Sequence, residues 1–335
     1  MTQPASDATT SAQPRAATAA SPEAPPVVEV RSLTKEFPGV RALDSVSMTI
    51  VPGEVHALVG ENGAGKSTLV KVLSGVEQPD GGEMLLDGSP YLAHDPQEAI
   101  EAGIRVVYQE LNLLTYLTIA ENLSFESLPS RRGLVDRGEL KRRAERLLKE
   151  VGLEASPDTP VEDLGIAQMQ LVEIGRALLT DAKVLILDEP TATLTPREVD
   201  QLFSIIRKLT GQGIGVLFIS HHLDEMKEIG DRVTVLRNGQ WVATKNVADV
   251  TVAEVIELMV GRAMTEGFPF RAAVKRGDEL LSVEDLTYRG NVEPVSLSVR
   301  EGEIVGVAGL VGSGRTEAMR AIFGADKATG GTISV

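Results

Sequence analysis

Short apolar runs alternate with amphipathic stretches along most of this chain. Val55-His56-Ala57-Leu58-Val59, Ile104–Tyr108, Val184–Leu187 and Gly215–Ile219 read as buried strands. Shorter strand patterns lie at Val27–Leu33, Val46–Ile50, Glu83–Leu86, Arg232–Leu236 and Trp241–Thr244. Gly81-Gly82 reads as a turn before Glu83. Helical periodicity marks Asp136–Val151, where Leu140, Ala144, Leu147, Leu148 and Val151 share one side. Further helices are expected at Ile166–Leu179, Pro196–Leu209 and Val252–Val260. Asp95-Pro96 opens a short helix by cap and first-turn proline. Thr118-Ile119-Ala120-Glu121 is a capping box. Strands alternating with helices predict an α/β fold, a largely parallel sheet covered on both faces. An inserted helical subdomain is expected at about 110–165.

The pattern also repeats. Val46-Ser47, Gly53-Glu54, Gly60, Lys66 and Gly81-Gly82 recur 249 residues later as Val295-Ser296, Gly302-Glu303, Gly309, Arg315 and Gly330-Gly331. This predicts a first domain over 27–262, a linker over 263–280 and the start of a second copy over 281–335, incomplete at Val335. Residues 281–335 are expected to be unstable alone, because small domains bury too little surface.

Composition narrows the function. The 335 residues carry a formal net charge of −15, which suits nucleic acid poorly as a partner. There is no cysteine, so disulfides and thiolate metal sites are out. No run of about 18 apolar residues suggests a membrane span. Met1–Pro26 is rich in Ala, Thr, Ser and Pro, lacks a signal-peptide pattern and reads as a disordered tail.

The chemistry concentrates at Gly60-Glu61-Asn62-Gly63-Ala64-Gly65-Lys66-Ser67, which fits the phosphate-loop pattern GxxxxGK[ST]. Glycines let backbone N–H groups turn inward onto phosphates, Lys66 adds a charge and Ser67 offers a hydroxyl to Mg²⁺. The following residues, from Thr68, open a helix whose N-terminus faces the phosphates. Val184–Leu187 delivers Asp188 and Glu189 to a strand's C-terminal end, where open α/β sheets bind ligands. Asp188 is placed to hold the Mg²⁺ shell, and Glu189 to polarise water attacking the γ-phosphate. His221 follows another buried strand and could hold Glu189 and that water in register. His222 reads as a helix cap, His56 as a packed core residue and His94 as a solvated loop residue.

In order and spacing these motifs resemble the ABC-type ATPases: phosphate loop, Tyr108-Gln109-Glu110-Leu111, helical insert, Leu164-Gly165-Ile166-Ala167-Gln168, Asp188-Glu189-Pro190-Thr191 and Ser220-His221. The resemblance covers about 27–262 and restarts near 281. It implies a P-loop (RecA-like) core with an antiparallel β subdomain. It makes Phe37 the adenine-stacking aromatic. It makes Gln109 the Q-loop glutamine, which senses the γ-phosphate, reaches the metal and contacts a membrane subunit. Lys35–Val40, Ala42-Leu43, Gln109–Leu113, Thr118–Asn122 and Met259-Val260-Gly261-Arg262, with the tandem copies, resemble the fused ATPase subunit of bacterial monosaccharide importers. A loop reading Gly309-Leu310-Val311-Gly312-Ser313-Gly314-Arg315-Thr316 fits that subfamily, where arginine commonly replaces lysine. Implied with it are ATP and Mg²⁺, a separate permease, through it a sugar-binding protein, and a place on the cytoplasmic face of the cell membrane.

Two departures matter. Where the family signature reads LSGGQ, Gly165 replaces a serine and Ala167 a glycine. Thr195 stands where the family usually has aspartate. Family geometry sets the degraded signature against the Arg315 loop, which implies one hydrolytic and one weak composite site. A ribosome-associated soluble ABC protein would carry a longer charged linker and intact signatures. A nucleotide-binding regulator with little turnover is favoured by Gly165 and Ala167 and opposed by Gln109, Glu189 and His221.

Overall fold

The structure, a computed structural model, describes residues 25–125, 128–131, 133–179, 181–261, 277–288, 293–309 and 313–335. Most of the expected tail and linker, and Arg262, lie outside these residues. The chain divides into two compact units, Met1–Met264 and Thr265–Val335.

The first unit opens with a hairpin, β1 (Val28–Phe37) and β2 (Val40–Ile50). It runs past the expected apolar patches, because Glu36↔Arg41 and Phe37↔Val40 continue the backbone ladder without hydrophobic alternation. Next come β3 (Val55–Val59), α1 (Lys66–Leu73), β4 (Gly81–Leu86) and β5 (Ser89–Pro90). The Gly81-Gly82 pair is not a free turn but the first residues of β4. Gly82 takes φ +87°, and a Cβ there would lie 2.5 Å from the Ser32 carbonyl. The glycine is therefore required by a close strand crossing. Strands β2-β1-β4-β5 form one antiparallel sheet.

The chain continues with α2 (Pro96–Ala102) and β6 (Ile104–Val107), and Asp95 caps α2 by accepting from Glu98 N–H. The expected insert holds α3 (Ile119–Leu123), a two-stranded hairpin of β7 (Ser130–Arg131) and β8 (Leu134–Val135), and α4 (Arg137–Glu150), and α5 (Ile166–Ala177) follows it. The Thr118–Glu121 capping box forms. The hairpin has no counterpart in the apolar pattern.

Then follow β9 (Val184–Asp188), α6 (Pro196–Gly211), β10 (Gly215–Ile219), α7 (Leu223–Ile229), β11 (Arg232–Arg237), β12 (Gln240–Asn246) and α8 (Val252–Val260). The central sheet has the order β12-β11-β3-β10-β9-β6, with parallel pairing from β11 to β6 and β12 antiparallel at the edge. All five residues of β3 and of β10 are buried, which explains why both are apolar apart from His56. One face packs on the insert and α6, where Phe203 meets Phe218 edge-on at 6.0 Å. The other packs on α1, α2 and the antiparallel sheet.

The second unit holds β13 (Glu279–Tyr288), β14 (Val295–Arg300), α9 (Arg315–Phe323) and β15 (Ala328–Ser334), with strand order β14-β13-β15. Among the described residues, no helix is long and apolar enough to cross a membrane.

Candidate nucleotide site

Three strand ends and one helix start meet at a cleft of about 680 Å³. Strand β3 leads into Gly60, where a Cβ would come within 2.4 Å of the Leu236 carbonyl on β11. Gly65 takes φ +102°, and a Cβ would lie 2.6 Å from the Ala42 carbonyl. Both glycines therefore let the loop pass between the two sheets. Helix α1 starts at Lys66. Lys66 Nζ donates to the Gly60 carbonyl at 2.7 Å and the Glu61 carbonyl at 3.1 Å. Ser67 is exposed and Thr68 half-buried on the same helix start.

The end of β9 brings in Asp188 and Glu189, and the end of β10 brings in His221. Glu189 N–H donates to the Ile219 carbonyl at 2.9 Å, tying the two exits together. Glu189 takes φ +49°, which is strained for a residue with a Cβ. His221 Nδ1 lies 3.4 Å from Glu189 Oε2, and the His221 and His222 rings are 4.0 Å apart.

The cleft gathers Phe37, Asn62, Gly63, Gly65, Lys66, Ser67, Thr68, Gln109, Asp188 and Glu189. Gly60 and His221 lie beside it rather than in its lining. Val40, Arg41, Ala42 and Asn238 also line it, and sequence reasoning missed them. Asn238, at φ +50°, forms the turn from β11 to β12 with Gly239. The Asn-Gly pair was the available signal for that hairpin, but nothing in it pointed to the cleft.

Electrostatics set the chemistry. Burial lowers the Lys66 ammonium pKa, against the pull of Glu189 and Asp188. Burial, then the Glu189 charge, raises the Asp188 carboxyl pKa, and Lys66 partly offsets this. Two adjacent carboxylates with one part-desolvated lysine leave room for another cation. Among the described residues no group of three or more His, Cys, Asp or Glu could hold a metal alone. Asp188, the Ser67 hydroxyl and Gln109 fit Mg²⁺ only where phosphate and water complete the shell, its usual manner of binding.

The signature segment does not line this cleft. Gly165 caps α5, and its N–H donates to Gln168 Oε1 at 3.0 Å. A Cβ at Gly165 would meet only that Oε1, at 3.8 Å, so packing does not exclude a serine. Leu164 is buried, Ile166 is 52% exposed and Ala167 is half-buried. Thr195 caps α6, and its N–H and hydroxyl both donate to Glu198 Oε2, at 2.7 and 2.8 Å.

The histidine expectations divide. His56 is fully buried, its Nε2 2.7 Å from Thr234 Oγ1, and His94 is exposed. His222 occupies the N-cap position of α7, but its side chain makes no capping hydrogen bond. In the second unit Gly314, at φ +82°, precedes α9, and the Tyr288 hydroxyl donates to its carbonyl at 3.1 Å. Arg315 and Thr316 are exposed at the helix start, and Gly309 is described. Leu310, Val311 and Gly312 lie outside the described residues.

Residues 43–192 match the family described as ABC transporter. The ribose import ATP-binding protein of Rubrobacter xylanophilus is 54% identical over 310 residues, covering 92% of this chain and 62% of that protein. A putative ribose/galactose/methyl galactoside import ATP-binding protein of Agrobacterium fabrum is 47% identical over 320 residues, covering 95% and 62%. The chain thus spans about 60% of the length of these relatives. A crystal structure of the ADP conformation of an ATP-binding cassette from an ABC transporter superposes with a TM-score of 0.61 at 28% identity, covering 71% of this chain and 99% of the other. Residues 43–192 are accordingly a domain of the ABC transporter family, in the fold of its ATP-binding cassettes.

Proposed function

We propose that this chain binds and hydrolyses ATP and thereby drives import of a monosaccharide through a separate membrane permease. One observation carries the reading: a single cleft joins the phosphate loop to Gln109, Asp188 and Glu189. In this reading Phe37 stacks on adenine, backbone N–H groups of Asn62–Thr68 and Lys66 hold the phosphates, and Glu189 orients the attacking water as general base. His221 holds Glu189 and contacts the γ-phosphate. Ser67, Asp188 and Gln109 would hold Mg²⁺, which when bound would neutralise phosphate charge.

The substrate class and partners come from the similarity to ribose and galactose import proteins. Gln109, beyond β6, is the link to the permease on the cytoplasmic face of the membrane, and a sugar-binding protein delivers the cargo. The departures at Gly165 and Ala167, and Arg315 in place of lysine, support one hydrolytic site and one weak site.

ATPase measurement on the permease-bound protein tests this. Glu189→Gln should lower turnover by about a hundredfold or more while ATP binding persists. Retention of more than about a tenth would place general-base work at the other site. A second reading, nucleotide binding with little turnover, is favoured by the missing serine at Gly165. Wild-type protein that binds ATP without hydrolysing it, even with permease, would establish that reading instead. Trapping the closed Glu189→Gln state should co-purify a multi-span permease, and recovery of ribosomes would overturn the transport role.

A further inference from the structure

Glu225 lies outside every motif above, yet it holds the two catalytic strand exits together. It is the third residue of α7. A glutamate there commonly turns back onto the N-cap N–H. Here Oε2 instead accepts from the Thr191 hydroxyl at 2.8 Å and the Ser220 hydroxyl at 2.6 Å. Thr191 lies two residues beyond Glu189 and Ser220 one before His221. Both are buried, at 5% and 3% exposure. The Ser220 oxygen also accepts from His222 N–H at 2.9 Å, which spans His221. The Thr191 carbonyl accepts from Leu194 N–H at 3.1 Å, fixing the turn that leaves β9.

We infer that Glu225 is a positioning residue, a carboxylate strut that makes the Asp188–Thr191 and Ser220–His222 segments one body. The inference rests on the hydrolytic reading of Glu189 and His221. Three observations converge on it. Glu189 sits at φ +49°, a conformation that persists only when surrounding bonds over-determine it. A direct backbone bond, Glu189 N–H to the Ile219 carbonyl, already joins the two exits beside it. A carboxylate is acceptor-only, so one oxygen can take both hydroxyl protons, and its charge suits the first turn of a helix. Strut loss would let Glu189 and His221 drift apart without touching the phosphate loop. Misplacement by about 1 Å can cost up to a hundredfold in rate.

The test compares Glu225→Ala, Glu225→Gln and Thr191→Val with wild type in the full chain assembled with its permease. Glu225→Ala should lower kcat by about tenfold or more, with KM for ATP within about twofold. Glu225→Gln, whose amide oxygen still accepts, should recover most of that rate. Adding Thr191→Val to Glu225→Ala should cost little more, since both remove the same bond. Hydrogen exchange at the Glu189 and His222 amides should quicken in Glu225→Ala and stay unchanged along α1. Unchanged kcat, or a glutamine variant as impaired as alanine with weakened ATP binding, would overturn the strut. Wild-type turnover that Glu189→Gln does not reduce would sink the hydrolytic reading and the catalytic role with it. The exchange data would then judge the strut alone, and unaltered exchange would end it.

Discussion

The two copies of the repeated sequence match in structure only in part, and the difference separates local from long-range folding. Their antiparallel parts agree closely. Ser32 N–H donates to Ser47 Oγ at 2.8 Å, and Asp285 N–H donates to Ser296 Oγ at 2.9 Å. Ser32 and Asp285 both take φ +48°. Gly82 and Gly331 take +87° and +90°, each with a Cβ position 2.5 Å from the facing carbonyl. Glu54 accepts from Val51 N–H, and Glu303 from Arg300 N–H. After that glutamate the copies part. Val55–Val59 is a wholly buried strand, whereas Ile304–Gly309 forms no strand and leaves Ile304 78% exposed. Hairpins need only near neighbours. Strand β3 needs β10 and β11, which arrive far along the chain. Among the described residues nothing equivalent pairs with Ile304–Gly309.

The largest expected effect tests the polar anchor of the first copy. Arg232 on β11 donates from Nη2 to Glu54 Oε1 at 2.6 Å and from Nε to Oε2 at 2.8 Å. Glu54 is 1% exposed. Burial alone would raise its carboxyl pKa, but hydrogen bonds and charge from His56 and Arg232 outweigh this and hold it at about 2. Arg232→Met strands that charge and should cost roughly 3–5 kcal/mol in urea unfolding. The depressed pKa fixes the sign with pH. Its stabilisation is full above the unfolded value of 4.5 and is lost as pH falls toward about 2. Glu54→Gln should flatten that stretch of the stability curve. An unchanged slope would show that the pair does not hold β3 to β11.

Next in size is the loop chemistry itself. Lys66→Ala should reduce ATP turnover by about a hundredfold or more, since it removes a fixed charge from the phosphates. Arg315→Ala, at an exposed helix start, should change turnover by no more than about threefold. Equal losses would mean that the two loops work alike, and the proposed asymmetry would fail. A smaller contrast concerns stability. In the 335-residue chain, limited proteolysis should cut within 304–309 about tenfold faster than anywhere in β3 or β10, because an exposed backbone lacks ladder protection. Equal resistance would contradict it.

Much of the fold could be read from the sequence because buried parallel strands leave continuous apolar runs. Val184–Leu187 and Gly215–Ile219 needed no other signal. The phosphate loop was equally plain, its glycines answering contacts as close as 2.4 Å at Gly60. What escaped were features held by backbone bonds or by side chains distant in sequence. The β1–β2 tip pairs polar Glu36 with Arg41. Gly81-Gly82 has turn composition but strand geometry. Asn238 reaches the cleft only because β11 lies beside β3. Glu225 was invisible because Thr191 is 34 residues away.

The smallest effect asks what the first copy gives up to hold its site. The core around β3 and β10 is apolar, but Asp188 at the end of β9 is a part-buried ionisable group. Its carboxyl pKa is raised by burial and by the neighbouring Glu189. For such a group the favourable contribution is full below the unfolded pKa and is lost as pH rises through the folded one. At neutral pH the nucleotide-free protein therefore carries Asp188 as a net cost. Asp188→Asn should raise its stability at pH 7, with the gain vanishing as pH falls below the unfolded carboxyl range. The same change should remove Mg²⁺-dependent turnover. A stability loss at pH 7 would mean that Asp188 makes native contacts worth more than its desolvation, and that the site is built at no cost to the fold. A gain would mark the strand end as a place where binding, not packing, fixed the residue, as trade-offs between stability and activity predict.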